Sequence, residues 1–231
     1  MLKSPFHIFN KNHSFNLSNP IILKNRYGTF KTHKDIFSAI AVSSIYEKRL
    51  RPLMELKDGA FIDVGANIGA YTIRVANKYP QNQVVAIEVD SDNVKVLNQN
   101  VILNQRKNVT IVHKGCFSKK GTMEFYKDLV GSGGGSLVDP ISNCKVKVEV
   151  DTLDNILRTL KVGKVDLIKT DAEGAEPLIF QGARKTIKKH KPVVIYEAHD
   201  SKIRKQCSDF FENIKYSVEK IDVNGFVARP R

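Results

Sequence analysis

From Gly59 onward short apolar runs alternate with amphipathic stretches, and that alternation restricts the fold more than any other feature of the chain. Residues 61–64, 84–88, 109–113, 165–169 and 193–197 are four or five residues long and largely apolar, the pattern of strands covered on both faces. Parallel strands cannot be joined by tight turns, so the stretches between them must supply crossover helices. Residues 69–79 place Ala70, Ile73 and Ala76 on one side at helical spacing, and residues 92–105 do the same with Val94, Leu97 and Val101. Pro177 suits the first turn of a further helix, where its missing N–H is not needed. The run Lys188-Lys189-His190-Lys191 suits the negative end of that helix's dipole. The expectation is an α/β protein with a doubly wound, mostly parallel sheet.

Two departures from simple alternation add detail. Residues 123–126 and 145–150 read as extra strands around a glycine-rich loop, of which residues 131–136 are the core. Residues 216–221 and 226–228 flank Asn224-Gly225, a hairpin signal, so the sheet should finish on an antiparallel C-terminal hairpin. Residues 1–58 precede the alternation and form a small N-terminal extension to a main domain of residues 59–231. In the extension, residues 21–30 should pair as short strands around Tyr27-Gly28. Residues 35–56 read as a helix that buries Ile36, Ile40 and Tyr46, with Pro52 as a break point. A chain of 231 residues suits one sizeable core better than two.

Composition narrows the setting. No apolar run reaches the length of a membrane-spanning helix, and the first fifteen residues lack the continuous apolar centre of a signal peptide; a cytoplasmic location is the expectation. Cys116, Cys144 and Cys207 lie far apart with no CxxC pairing, which argues against a zinc site and a disulfide framework. The net charge of +13 favours acidic partners such as RNA, phosphorylated metabolites or anionic surfaces. Lysines spread over solvated helix faces give the same total, and no RNA-binding motif sharpens the signal.

The chemistry is concentrated in Phe61-Ile62-Asp63-Val64-Gly65-Ala66-Asn67-Ile68-Gly69, where an apolar strand, an acid, a glycine turn and a helix start follow one another directly. Gly65 lets the backbone approach a ligand and Gly69 lets the helix pack tightly on the strand. Glu88 ends the next strand about 20 residues on, where a carboxylate can accept hydrogen bonds from both hydroxyls of a ribose. Together they imply a nucleoside-bearing cofactor. A dinucleotide pyrophosphate needs GxGxxG, but here Asn67 stands where the middle glycine should be. That side chain would crowd a pyrophosphate and can stand beside the methionine part of S-adenosylmethionine, whose amino group Asp63 would face. An NAD-linked oxidoreductase is therefore disfavoured.

These residues resemble the FkbM-type branch of the class I methyltransferases. FIDVGANIGAYT, VVAIEVD, GTMEFY, VDTLDNIL, VDLIKTDAEGAEPLIFQGA and KPVVIYEAH occur in family order from Phe61 to His199. The resemblance implies a Rossmann-like class I methyltransferase fold, for which a closing antiparallel hairpin is usual, and S-adenosylmethionine as cofactor. It implies that Asp63, Gly65, Ala66, Asn67 and Gly69 surround the methionine part. Glu88 and Val89 would then lie at the ribose, and Cys116, Phe117 and Ser118 near the adenine. Cysteine departs from the small apolar residue usual at position 116.

Asp171-Ala172-Glu173-Gly174-Ala175-Glu176 follows the fourth main strand, beside the reactive end of the cofactor in such a topology. An alcohol acceptor must lose a proton, so Asp171 is the candidate for the reactive centre, also touching the cofactor, with Glu173 as its partner. Glu176 reads as a helix cap. Glu197 and His199 point to the same sheet edge, and His199 is a further acid–base candidate. Asp171, Glu173 and Glu197 would suit magnesium, but nothing in the sequence requires it and no metal is assigned. Tyr46 and Glu47 read first as packed helix and second as a cover over the cofactor.

The expected activity is O-methylation of a hydroxyl on a sugar, glycolipid or small polar metabolite. TDAEG stands where base-methylating enzymes commonly carry an NPPY-like turn. RNA methylation, with the basic surface and residues 1–58 as a dock, is the alternative. A non-catalytic cofactor-binding module is the reading from another class. The oligomeric state is not legible.

Overall fold

The computed structural model describes residues 18–43, 49–129 and 133–231. Seven strands form the main sheet: β3 (Ala60–Val64), β4 (Val84–Glu88), β5 (Val109–His113), β9 (Val165–Thr170), β10 (Val193–Glu197), β11 (Tyr216–Lys220) and β12 (Gly225–Pro230). Their spatial order is β11-β12-β10-β9-β3-β4-β5, parallel except for β12, which runs antiparallel to both its neighbours. The chain begins the sheet at its centre, builds outward through β4 and β5, then returns to build through β9 and β10 on the other side. Strand order therefore reverses between β3 and β9, and a crevice opens beyond their carboxyl ends. Every residue of β3 and β4 is buried, as expected of strands covered on both faces.

Helices α2 (Ala70–Lys78) and α3 (Ser91–Leu103) connect the first three of these strands. On one face of the sheet Phe61, Tyr71, Val75 and Leu167 pack with Leu50 and Met54. On the other, Ile62, Ile168 and Tyr196 pack against α5 (Glu176–Gly182) and α7 (Ser201–Glu212). Phe180 meets Tyr196 edge-on at 5.4 Å between centroids, and Tyr196 stacks on Phe211 at 5.5 Å. The long connection from β5 to β9 carries a separate three-stranded sheet, ordered β6-β8-β7 (Gly115–Cys116, Lys145–Asp151, Gly121–Tyr126), followed by α4 (Leu153–Thr159).

The extension forms a hairpin, β1 (Ile22–Asn25) and β2 (Gly28–Lys31), turning at Arg26-Tyr27. Its docking uses two asparagines one helical turn apart. Asn104 accepts from the Thr29 N–H at 2.9 Å and donates to the Thr29 carbonyl at 2.6 Å. Asn100 does the same for Lys31, at 2.6 and 3.0 Å. Two carboxamides thus pair with the edge of β2 as a neighbouring strand would.

Two expectations are corrected. Of the helix expected over residues 35–56, the described residues form α1, Ile36–Val42, with Asp35 as its N-cap, and, past the undescribed residues 44–48, a 3-10 turn at Arg51–Leu53. Ile40 is 39% exposed and Ile36 half-buried, while Phe37, Ala39 and Val42 face inward. In a helix of about two turns, the docked surface rather than the helical period selects the buried side. Tyr46 and Glu47 lie outside the described residues.

Secondly, the helix begun at Pro177 breaks at Ala183 into α5 and α6 (Arg184–His190). At the break Gly182 passes so close to the Phe117 carbonyl that a Cβ there would overlap it. Lys188, Lys189 and His190 do occupy the last turn of α6. The C-terminal hairpin expected around Asn224-Gly225 is present, β11 pairing antiparallel with β12. Gly225 opens β12, and the turn is held by the Asp222 carboxylate, which accepts from the N–H groups of Asn224 (3.2 Å) and Gly225 (2.7 Å).

Candidate active site

A cavity of about 470 Å³ lies at the crevice where the strand order reverses. Gly65, Asn67, Glu88, Val89, Cys116, Asp171 and Glu173 all line it, although they come from four separate stretches of chain. Asp63, Ala66, Gly69, Phe117 and His199 do not reach its surface.

At the end of β3 the chain turns through two left-handed residues, Gly65 (φ 75°) and Asn67 (φ 50°), before Gly69 (φ 89°) starts α2. The Asp171 N–H donates to the Val64 carbonyl at 3.0 Å, which draws the end of β9 against that turn. A Cβ at Gly65 would overlap the Asp171 carbonyl oxygen, so the glycine is the cost-free solution at that approach. The left-handed backbone turns the Asn67 side chain toward the crevice, and its buried Oδ1 has no hydrogen-bond donor among the described residues.

Glu88 binds this turn to the next. One carboxylate oxygen accepts from the Asn67 N–H at 2.7 Å, and the other accepts from Val89 (2.9 Å) and Asp90 (2.8 Å). Burial pushes its carboxyl up to about 7, against the pull of those backbone donors. Cys116 is buried at the far wall, and burial pushes its thiol up, away from thiolate chemistry.

The roof comes from the β7–β8 connection, through Phe125, Leu129, Gly133, Gly135 and Leu137. Two ties hold it. Lys127 reaches Asp92 at 2.6 Å and Asp90 at 3.3 Å, and together with Lys95 it holds the Asp92 carboxyl down at about 2. Ser136 donates its hydroxyl to the Glu173 carbonyl at 3.0 Å. Gly131 and Ser132 fall outside the described residues.

The far end of the cavity is acidic. Glu173 and Gly174 are left-handed (φ 48° and 101°), and Glu176 closes the turn by accepting from the N–H groups of Ala172 (2.8 Å) and Gly174 (3.1 Å). The Glu173 carboxyl is raised by burial first, then by Asp171, Glu176 and Asp128. His199 Nε2 stands 3.6 Å from Glu173 and 3.7 Å from Glu197, beside the cavity rather than on its wall. Asp171, Glu173 and His199 bring donor atoms within 4.8 Å of one another. Lys169, however, already places an ammonium 3.2 Å from Asp171, so the chain supplies its own positive charge and no metal is assigned.

Asp63 is placed differently from its sequence expectation. It is 1% exposed, and it accepts the Thr72 hydroxyl at 2.6 Å behind the cavity wall, alongside Lys169, its partner in register across β3 and β9. Lys169 itself escaped the sequence reading. The signal was a lysine near the end of the run VDLIKT, at a position where a central parallel strand has no water to offer it.

The buried acids give a pH dependence whose sign is fixed. Asp63, Glu88, Glu173 and Glu176 are all raised by burial, the second and fourth to about 7. An acid held more tightly protonated when folded stabilises the fold fully below its unfolded value, near 4.5 for Glu, and loses that contribution as pH rises through the folded value. Thermal unfolding of the ligand-free protein should therefore move to lower temperature between about pH 4.5 and 7, by on the order of 3 kcal/mol at most for each Glu that reaches 7, then level off. Glu176→Gln, read in the same scan, should flatten that slope; an unchanged slope would dismiss Glu176 as a contributor.

A doubly wound sheet ordered β11-β12-β10-β9-β3-β4-β5, with a glycine turn and a buried acid at its switch point, is the Rossmann-like architecture of class I methyltransferases. The sequence profile of the methyltransferase FkbM domain matches residues 63–223, and the chain belongs to that family. Methyltransferase sdnD of Sordaria araneosa is 28% identical over 152 residues, covering 52% of this chain and 59% of that protein. Methyltransferase 1 of Beauveria bassiana is 25% identical over 170 residues, 65% of each. In structure the chain is similar to a methyltransferase FkbM from Methylobacillus flagellatus KT, with a TM-score of 0.58 at 18% identity, over 82% of this chain and 47% of that one. The chain thus spans less than two thirds of each of these three proteins. Membership of the family implies S-adenosylmethionine as methyl donor. No helix among the described residues is long and apolar enough to cross a membrane.

Proposed function

We propose that the chain transfers a methyl group from S-adenosylmethionine to a hydroxyl of a sugar, glycolipid or small polar metabolite. The observation that carries this reading is the Asp171 carboxylate, which lines the same cavity as Gly65, Asn67 and Glu88. The residues present fit the cofactor. Gly65 and Asn67 line the cavity where the chain turns after β3, the buried Asn67 Oδ1 is ready to accept from an amino group, and Glu88 Oε2, which takes one backbone N–H, can accept a further bond from a ribose. When bound, S-adenosylmethionine supplies an electrophilic methyl whose bond to sulfur breaks as the bond to the acceptor oxygen forms. Asp171 takes the hydroxyl proton, with Glu173 and His199 beside it to orient the acceptor. Phe125 and Leu137, both buried, give the cavity an apolar wall. In this reading residues 59–231 carry the chemistry.

A groove elsewhere favours a second reading, an RNA acceptor. Between α4 and α6 a depression of about 820 Å³ is lined by Lys120, Arg158, Lys161, Lys185 and Lys189, none of them in an ion pair with a described residue. Asp151 and Asp154 in the same groove have their carboxylates taken up by neighbouring amides. Concave cations of one sign focus potential and suit a phosphate backbone.

The two readings separate in one experiment. Labelled methyl is transferred from S-adenosylmethionine into an extract of the source cells, with and without nuclease. Label that survives nuclease and partitions with glycans, lipids or small metabolites supports the hydroxyl acceptor. Nuclease-sensitive macromolecular label, formed more slowly as salt is added, would replace it with RNA. No transfer into any fraction would leave a cofactor-binding module.

A further inference from the structure

Lys169 is a charged residue in the middle strand of the sheet, and it is 3% exposed. A buried ammonium is costly unless it is paired, so its surroundings need a reason. Its Nζ stands 3.2 Å from Asp171 Oδ2 and 4.8 Å from the centre of the Tyr71 ring of α2. Asp63 lies across from it in register on β3, held by Thr72. The Asp171 side chain is about one quarter exposed, against 4% for Lys169. The ammonium therefore approaches Asp171 from behind the wall, while Asp171 itself faces the cavity.

The charges around that point are one-sided. Asp63 from β3, Glu173 and Glu176 from the β9–α5 turn, and Asp128 from the roof all bear on Asp171 or its neighbours, with Glu197 and His199 beyond Glu173. Among the described residues Lys169 is a cation that opposes them, pulling down both Asp63 and Glu173 against the push of burial. Without it, several carboxylates would share one low-dielectric corner, and like charges at such range favour taking up a proton.

We propose that Lys169 is a positioning residue, which grips one oxygen of Asp171 from inside the sheet so that the carboxylate is turned to the cavity to receive the acceptor's proton. This rests on the methyl-transfer reading for its consequence, but the grip on Asp171 has a readout of its own. Lys169 does not line the cavity: its ammonium lies against Asp171 and beneath the Tyr71 ring.

The test compares Lys169→Met with Lys169→Arg in the full chain. With Met, kcat near pH 7 should fall about 10²-fold and recover as pH is raised toward 9, because the acid limb of the profile moves up. With Arg, which keeps the charge and cannot lose a proton in this range, the rate should return to within about tenfold of wild type. Binding of S-adenosylhomocysteine by calorimetry should change by less than about threefold in both, since that surface is untouched. A rate in the Met variant equal to wild type would overturn the proposal. So would equal losses in both variants at every pH, which describe either a structural role or Lys169 acting as the base. Where no acceptor is methylated even by wild type, the methyl-transfer reading fails, and the grip is judged separately. The ¹³C shift of the Asp171 carboxyl, assigned through Asp171→Asn, should titrate at a higher pH in the Met variant than in wild type. Identical midpoints would overturn the grip whatever the activity.

Discussion

Asp171→Asn is expected to lower kcat for methyl transfer by about 10²–10⁴-fold while leaving S-adenosylhomocysteine affinity within about threefold. The asparagine fills the same space and keeps an oxygen for Lys169, so the β3–β9 junction should survive: that junction rests on the backbone bond from Asp171 to Val64. What is lost is the acceptor of a proton. Single-turnover transfer with labelled S-adenosylmethionine reads the chemical step, and calorimetry reads the binding. Full activity in the variant would remove Asp171 from the reaction. Loss of both activity and binding would make it part of the cofactor cradle.

Gly65→Ala should be the most damaging single methyl in the protein. The left-handed φ of 75° costs an alanine about 1–2 kcal/mol by itself. The new Cβ would also overlap the Asp171 carbonyl, a backbone atom that can move only by parting the ends of β3 and β9. Overpacking of that kind typically adds about 1–3 kcal/mol. The expected result is a loss of about 2–5 kcal/mol in denaturant unfolding together with loss of detectable S-adenosylhomocysteine binding, because the displaced strands carry both walls of the cavity. Ala70, buried one residue into α2, offers a comparison: Ala70→Gly should cost only about 1 kcal/mol and spare binding. Binding that survived Gly65→Ala would show that the cofactor does not rest on this turn.

Much of this architecture was legible in advance because its determinants are local. The runs at 84–88, 109–113 and 193–197 coincide with β4, β5 and β10. A strand such as β4, buried on both faces, must be apolar whatever its neighbours are. The glycine turn after β3 was legible for the same reason, since Gly65, Asn67 and Gly69 are needed by the backbone of that turn itself. The extent and face of α1 were not, because seven residues carry too few turns for periodicity to compete with the surface they dock on. Nor was the interruption at Ala183, which answers to the Phe117 carbonyl some 60 residues earlier.

The site divides along the same line. The sequence by itself determined the parts that a few consecutive residues can build: a strand that ends in a left-handed glycine turn, an acid at the end of the next strand, and an acidic turn after β9. Short-range sterics and hydrogen bonding decide those, and they act between residues the chain already holds together. Only the tertiary structure decided that Asp63 turns away behind the wall with Thr72, that Lys127 ties the roof to Asp90 and Asp92, and that Lys169 stands behind Asp171. For Asp63 and the roof these outcomes depend on partners far along the chain. The direction of a buried charge is set by which opposite charge the closed sheet leaves within reach, and that is known only once β9 has been laid against β3.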